Sequence, residues 1–139
     1  MILADIETRV IPTLTHGRML IRPARAAAAR GVLVGFHGYK ENAAIQLERL
    51  EEIPGVSAWT LVSIQGLHRF YLGRTEEVVA SWMTREDRDT AIADNLAYVA
   101  AALDEVPHDE TTPLVYLGFS QGVAWRFVPP FSGAIAPAD

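Results

Sequence analysis

Short, unbroken apolar runs, each followed by a turn and then helical periodicity, constrain this chain more than any other feature. They are Val32-Leu33-Val34-Gly35-Phe36, Thr60-Leu61-Val62-Ser63-Ile64 and Leu114-Val115-Tyr116-Leu117. Strands buried on both faces of a parallel sheet read this way, because covering layers on both sides remove the need for polar alternation. Between the first two runs, Ala44, Leu47 and Leu50 stand near helical spacing and predict a helix from about Glu41 to Glu51, stopped by Pro54-Gly55. Before the third, Ile92, Leu96, Val99 and Leu103 predict a helix from Glu86 to Leu103 with an acidic first turn, and Pro107 lies beyond its end. Strands and helices alternating in this order predict a doubly wound α/β sheet. Upstream, β-rich segments at about 4–10 and 18–21, separated by Pro12 and His16-Gly17, predict an opening hairpin. The alanine-rich stretch 25–30 reads as a connector, and 65–85 as a long loop. A short helix from Gln121 must end before Pro129-Pro130, and Phe131 to Ala136 is a last strand candidate.

In such a sheet, ligand chemistry sits at the carboxyl ends of the strands. That places the loops beginning at His37, Gln65 and Phe119 on one face and the loop holding His108 on the other. The chain has 139 residues, half of them hydrophobic, which suits a single domain spanning 1–139. A formal charge of -5 leaves no basic footprint for a nucleic-acid or anionic-membrane partner, so neutral or small substrates are expected. The absence of cysteine excludes disulfides, thiolate metal sites and cysteine nucleophiles. Histidines and acids show no ligand-set spacing, so no metal is expected. The N-terminal residues carry acids where a secretory signal needs a basic and then an apolar run, and no stretch reaches transmembrane length. A soluble, cytoplasmic protein is the expectation.

The third apolar run leads directly into Gly118-Phe119-Ser120-Gln121-Gly122. A strand that turns sharply through Gly-x-Ser-x-Gly into a helix is the arrangement of a nucleophile elbow, with Ser120 as the nucleophile. Glycines at 118 and 122 remove the Cβ atoms that would crowd so tight a turn. The blander reading is a Gly/Ser turn in which Ser120 caps a helix. A serine hydroxyl attacks only when a base takes its proton, and the oxyanion that develops needs preorganised donors. The backbone N–H of Gln121 is one such donor. The loop Phe36-His37-Gly38-Tyr39 supplies the second, the N–H of Tyr39. His37 is expected to brace that loop by hydrogen bonds rather than titrate in catalysis.

With these residues in place, the chain resembles the phospholipase/carboxylesterase family of α/β-hydrolases, whose members pair a His-Gly oxyanion loop with Gly-Phe-Ser-Gln-Gly at the elbow. The resemblance runs from about Val32 to Val123 and includes Asp94-Asn95. It implies an α/β-hydrolase sheet and hydrolysis of small carboxylic esters or thioesters through an acyl-enzyme, with no metal or organic cofactor. The roles it transfers are those of Ser120, Tyr39 and Gln121. The chain departs from the family in one large respect, because triad partners follow the serine as acid and then histidine. After Ser120 there is no histidine, and the only acid is Asp139. The expectation is therefore a C-terminally truncated hydrolase whose sheet is incomplete at the C-terminal side.

All four histidines, His16, His37, His68 and His108, precede the nucleophile. With His37 read as a brace, His68 is the one serious candidate for a base, since it lies in a loop on the predicted active face, and a pocket-lining or solvated role is favoured for it. Trp82, Met83, Phe70, Tyr71 and Leu72 are candidates for an acyl-binding surface or for plain packing of the long loop. The strand at Leu114 is expected to be central, leaving Phe131 to Ala136 as an apolar edge open to pairing with a second copy of the chain. Besides a serine esterase, the sequence admits a non-catalytic hydrolase-fold remnant that acts as a ligand-binding or oligomerisation module.

Overall fold

The computed structural model describes residues 5–122. Its main sheet has four strands: β1 (Arg18–Arg22), β2 (Val32–Phe36), β3 (Thr60–Gln65) and β6 (Leu114–Gly118), in the order β1-β3-β2-β6. Strands β2, β3 and β6 are parallel, and β1 joins the β3 edge antiparallel. A second, two-stranded sheet pairs β4 (His68–Tyr71) with β5 (Val78–Ser81). Helix α1 (Ala43–Glu51) follows β2, and α2 (Arg88–Asp104) follows β5. No helix among the described residues is long and apolar enough to cross a membrane.

The first two apolar runs form strands covered on both faces, as their composition requires. Val32, Val34 and Phe36 of β2, with Val62 and Ile64 of β3, pack on Val99, Ala102 and Leu103 of α2 and on Trp82. Leu33 and Leu61 point to the other face, where Leu50 of α1 and Val56 close a smaller cluster. Parallel pairing aligns Phe36 with both Ile64 and Gly118, so the loops that begin at His37, Gly66 and Phe119 leave the sheet at one end. His108 precedes β6 and lies toward the opposite end.

Several elements depart from the sequence reading. The expected hairpin at the N-terminus does not form: residues 6–17 carry no strand, and β1 pairs instead with β3 through Arg18↔Gln65 to Arg22↔Leu61. The segment read as a long loop contains the β4–β5 hairpin. Its β4 strand is mostly exposed, so it lacks the buried alternation that would have marked it in the sequence. Helix α1 starts two residues late. The Asn42 side chain accepts from Ile45 N–H at 2.9 Å as an N-cap, while Glu41 makes a β-bridge with Ala80. Its buried face is Ala43, Gln46 and Leu50, with Ala44 exposed; in α2 it is Asn95, Val99, Ala102 and Leu103, with Leu96 turned outward. Finally, β6 is not central among the described residues. It pairs with β2 alone, and Val115 and Leu117 remain 45% and 40% exposed. The strand expected over 131–136 and the helix expected beyond residue 122 lie outside the described residues, which reach only a 3-10 turn at 120–122.

Candidate active site

The site is assembled where β2 and β6 end side by side. Phe119 N–H continues the pairing to Phe36 C=O at 3.0 Å, and Gly122 N–H closes a tight turn onto Phe119 C=O at 2.9 Å. Within that turn Ser120 is solvent-exposed and adopts φ 54, a left-handed conformation that costs a residue with a Cβ roughly 1 kcal/mol or more. Among the described residues only Lys40, Asp87 and Ser120 combine a side chain with positive φ, and Lys40 lies in the facing loop. Two of these three residues thus lie where β2 and β6 end, and the third, Asp87, precedes α2.

Two glycines permit the close approach. A Cβ on Gly122 would collide with the Phe36 carbonyl and stand 2.6 Å from the His37 oxygen. A Cβ on Gly38 would stand 3.0 Å from Ser120 Cβ and 3.1 Å from the Phe119 oxygen. The backbone of the His37-Gly38-Tyr39 loop is therefore in direct contact with the elbow. Neither Tyr39 N–H nor Gln121 N–H donates to an acceptor among the described residues.

His37 is buried to 0% exposure, and its ring is committed at both nitrogens. Nε2 accepts from Gly66 N–H at 2.9 Å, so the proton of the neutral ring is assigned to Nδ1, which donates to Gly38 C=O at 2.7 Å. The ring stacks on Trp82, whose indole N–H donates to His37 C=O at 2.8 Å. Burial holds the His37 pKa below its ordinary value of 6.5, outweighing the Gly38 carbonyl and Glu41, which act in the opposite direction. Because a peptide is planar and trans, its C=O and N–H point in opposite directions. Fixing the Gly38 carbonyl through His37 therefore fixes the direction of Tyr39 N–H. His37 is a brace in this geometry.

The Gln121 side chain has a function that the sequence did not reveal. Its oxygen accepts from Trp82 N–H at 2.8 Å and its nitrogen donates to Met83 C=O at 2.9 Å, tying the elbow to the chain leaving β5. Asn95 grips the same segment from α2, donating to Trp82 C=O at 2.7 Å. A buried polar residue at helical spacing from Val99 was the available sign of that role. Trp82 is fully buried, which places it in the core rather than on an acyl-binding surface. Tyr39 and Phe70 are in ring contact at 5.8 Å and half or partly exposed near the site. His68 is exposed at the start of β4, where it lines a groove with Leu67, Thr84, Asp94 and Asn95. Among the described residues no histidine hydrogen-bonds Ser120, and no cluster of His, Asp or Glu has the makings of a metal site.

No protein-family model matches the chain, and no curated protein does. Solved structures do. Zea mays acyl-protein thioesterase 2 superimposes with a TM-score of 0.59 at 19% identity, over 89% of this chain and 58% of that one. Esterase PE8 does so with a TM-score of 0.50 at 22% identity, over 86% of this chain and 61% of its own. The chain thus spans about three fifths of the length of each. Likeness at this identity is a likeness of architecture, and it establishes the fold as a doubly wound, mainly parallel α/β-hydrolase sheet.

Proposed function

We propose that the chain carries the nucleophile and oxyanion half of a serine hydrolase that cleaves small carboxylic esters or thioesters through an acyl-enzyme. The observation that carries this reading is the close approach of an exposed Ser120 at φ 54 to the backbone of Gly38, the residue before Tyr39; the Tyr39 and Gln121 amides donate to no acceptor among the described residues. Ser120 Oγ would attack the acyl carbon and expel the alcohol or thiol. The Tyr39 and Gln121 amides would stabilise the oxyanion, a contribution of about 10²–10³-fold per donor in comparable sites. The proton of Ser120 must pass to a base. His37 is unsuited to that task, since both of its nitrogens are engaged and burial disfavours its charged form. No base hydrogen-bonds Ser120 among the described residues, and the oxyanion hole alone leaves residual catalysis in hydrolases stripped of a triad member.

The test is to treat the purified chain with a fluorophosphonate, locate the adduct by peptide mass, and follow hydrolysis of short p-nitrophenyl esters. The reading predicts one adduct, on Ser120, and loss of both label and turnover in Ser120→Ala. Full esterase activity in that variant would refute it.

A second reading has its own support in the unengaged serine: a hydrolase-fold unit that binds a ligand or a second copy of itself without turnover. The exposed side chains of Val115 and Leu117 on β6 favour the self-association form of this reading. An unlabelled, inactive chain that self-associates would establish it in place of the first.

A further inference from the structure

The oxyanion loop contains an unavoidable weakness. A Cβ on Gly38 would crowd Glu41 Oε1 at 2.9 Å and Ser120 Cβ at 3.0 Å, which favours glycine there, yet glycine is the residue that holds a backbone conformation least firmly. The donor it precedes, Tyr39 N–H, is useful only if it is fixed in place before charge develops. The Gly38 carbonyl is held by His37 Nδ1–H at 2.7 Å and by Glu41 N–H at 3.3 Å. On the other side, Gly38 N–H donates to Glu41 Oε1 at 2.7 Å. Both peptides flanking the glycine are therefore clamped.

Glu41 is itself fixed. Arg49, two turns along α1, donates from Nη1 to Glu41 Oε1 at 2.8 Å and forms an ion pair with Oε2 through Nη2. Gln46 accepts from the same Arg49 nitrogen at 2.9 Å. The guanidinium then lies over the Phe119 ring, 4.0 Å from its centroid, and Phe119 is the residue immediately before the serine. One side chain thus touches the acid that grips the oxyanion loop and the aromatic ring of the elbow.

We propose that Glu41 and Arg49 are positioning residues that hold the oxyanion loop in register with the nucleophile elbow, Glu41 by gripping Gly38 N–H and Arg49 by linking Glu41 to Phe119. The proposal rests on the serine-hydrolase reading for its consequence in catalysis, while the grip itself is independent of that reading. The Arg49 hydrogen bond holds the Glu41 carboxyl below its ordinary pKa, so the grip is ionised throughout the neutral range. Neither residue touches the reacting atoms; each acts through the loop it steadies. Misplacing such a loop by a fraction of an ångström costs catalysis far more than it costs folding.

The experiment compares wild type, Glu41→Ala, Glu41→Gln and Arg49→Lys in the same chain, reading the rate of Ser120 labelling by a fluorophosphonate and the hydrogen exchange of the Gly38 amide by NMR. Glu41→Ala is expected to slow labelling about tenfold or more and to speed Gly38 exchange by a similar factor. Glu41→Gln, which keeps an acceptor oxygen but loses the ion pair, should recover part of both. Arg49→Lys, which keeps the charge but loses the fork and the stacking plane, should resemble Glu41→Gln. Labelling within twofold of wild type in Glu41→Ala overturns the proposal, whatever the exchange shows, and so does slowed labelling with unchanged Gly38 exchange. A wild-type chain that takes no label refutes the serine-hydrolase reading instead; the clamp is then decided by exchange alone, and an unaltered Gly38 rate in Glu41→Ala refutes it.

Discussion

Burying an imidazole with an acceptor bond at one nitrogen and a donor bond at the other selects its neutral form, and this gives His37 a definite pH signature. Its folded pKa is depressed by burial, so below its ordinary value of 6.5 the folded state binds fewer protons than the unfolded one. The stability contributed by neutral His37 is complete above about pH 6.5 and is lost as pH falls from there through the folded pKa. Urea midpoints measured between pH 7.5 and 5.5 should therefore fall on acidification in the wild type. They should fall less steeply in His37→Asn, which starts from a lower midpoint at pH 7.5. At the level of single residues, Ser120, Gly122 and His37-Gly38 stood out in the sequence because turn chemistry is local. The partners that give them meaning, Gly66 for His37 and Glu41 with Arg49 for Gly38, are set by how separate elements pack. No spacing rule reveals them.

Element boundaries follow the same division. Strands β2, β3 and β6 matched their apolar runs almost residue for residue; in β2 and β3 this is because continuous burial writes itself into composition, whereas β6 keeps Val115 and Leu117 exposed. Helix α1 began at Ala43 because Asn42 both caps it and donates to Val78 C=O at 3.0 Å on β5. Replacing Asn42 with alanine removes the cap bond to Ile45 N–H together with this link to the hairpin. The expected cost is ~1–2 kcal/mol, read as a lower urea midpoint at an unchanged m-value. The β4–β5 hairpin escaped the sequence reading because a mostly exposed strand carries no hydrophobic period. Yet it is this hairpin that the loop after β2 docks on, through Lys40 N–H to Ala80 C=O at 3.2 Å and Ala80 N–H to Glu41 C=O at 2.7 Å.

Across the whole molecule, β6 closes the described sheet with one edge unpaired and with Val115 and Leu117 exposed on the face where α1 covers Leu33 but not β6. An apolar edge of this kind favours association, and at roughly 10–100 μM the chain is expected to self-associate in sedimentation experiments. Leu117→Lys should shift it toward monomer while leaving the elbow turn in place; a wild-type chain that is monomeric over that range would refute the expectation. The sequence by itself determined the alternation of strand and helix, the common end at which the loops after β2, β3 and β6 leave the sheet, and the strand-turn sequence around Ser120, because hydrophobic period, glycine and proline act over a few residues. Only the tertiary structure decided that β1 pairs with β3, that Trp82 is core, that the buried faces of both helices are rotated from their apolar stripes, and that Glu41 accepts from Gly38 N–H while Arg49 spans Glu41 and the Phe119 ring. Those outcomes depend on contacts between residues far apart in the chain, where pairing register and close packing, rather than local preference, set which side chains meet.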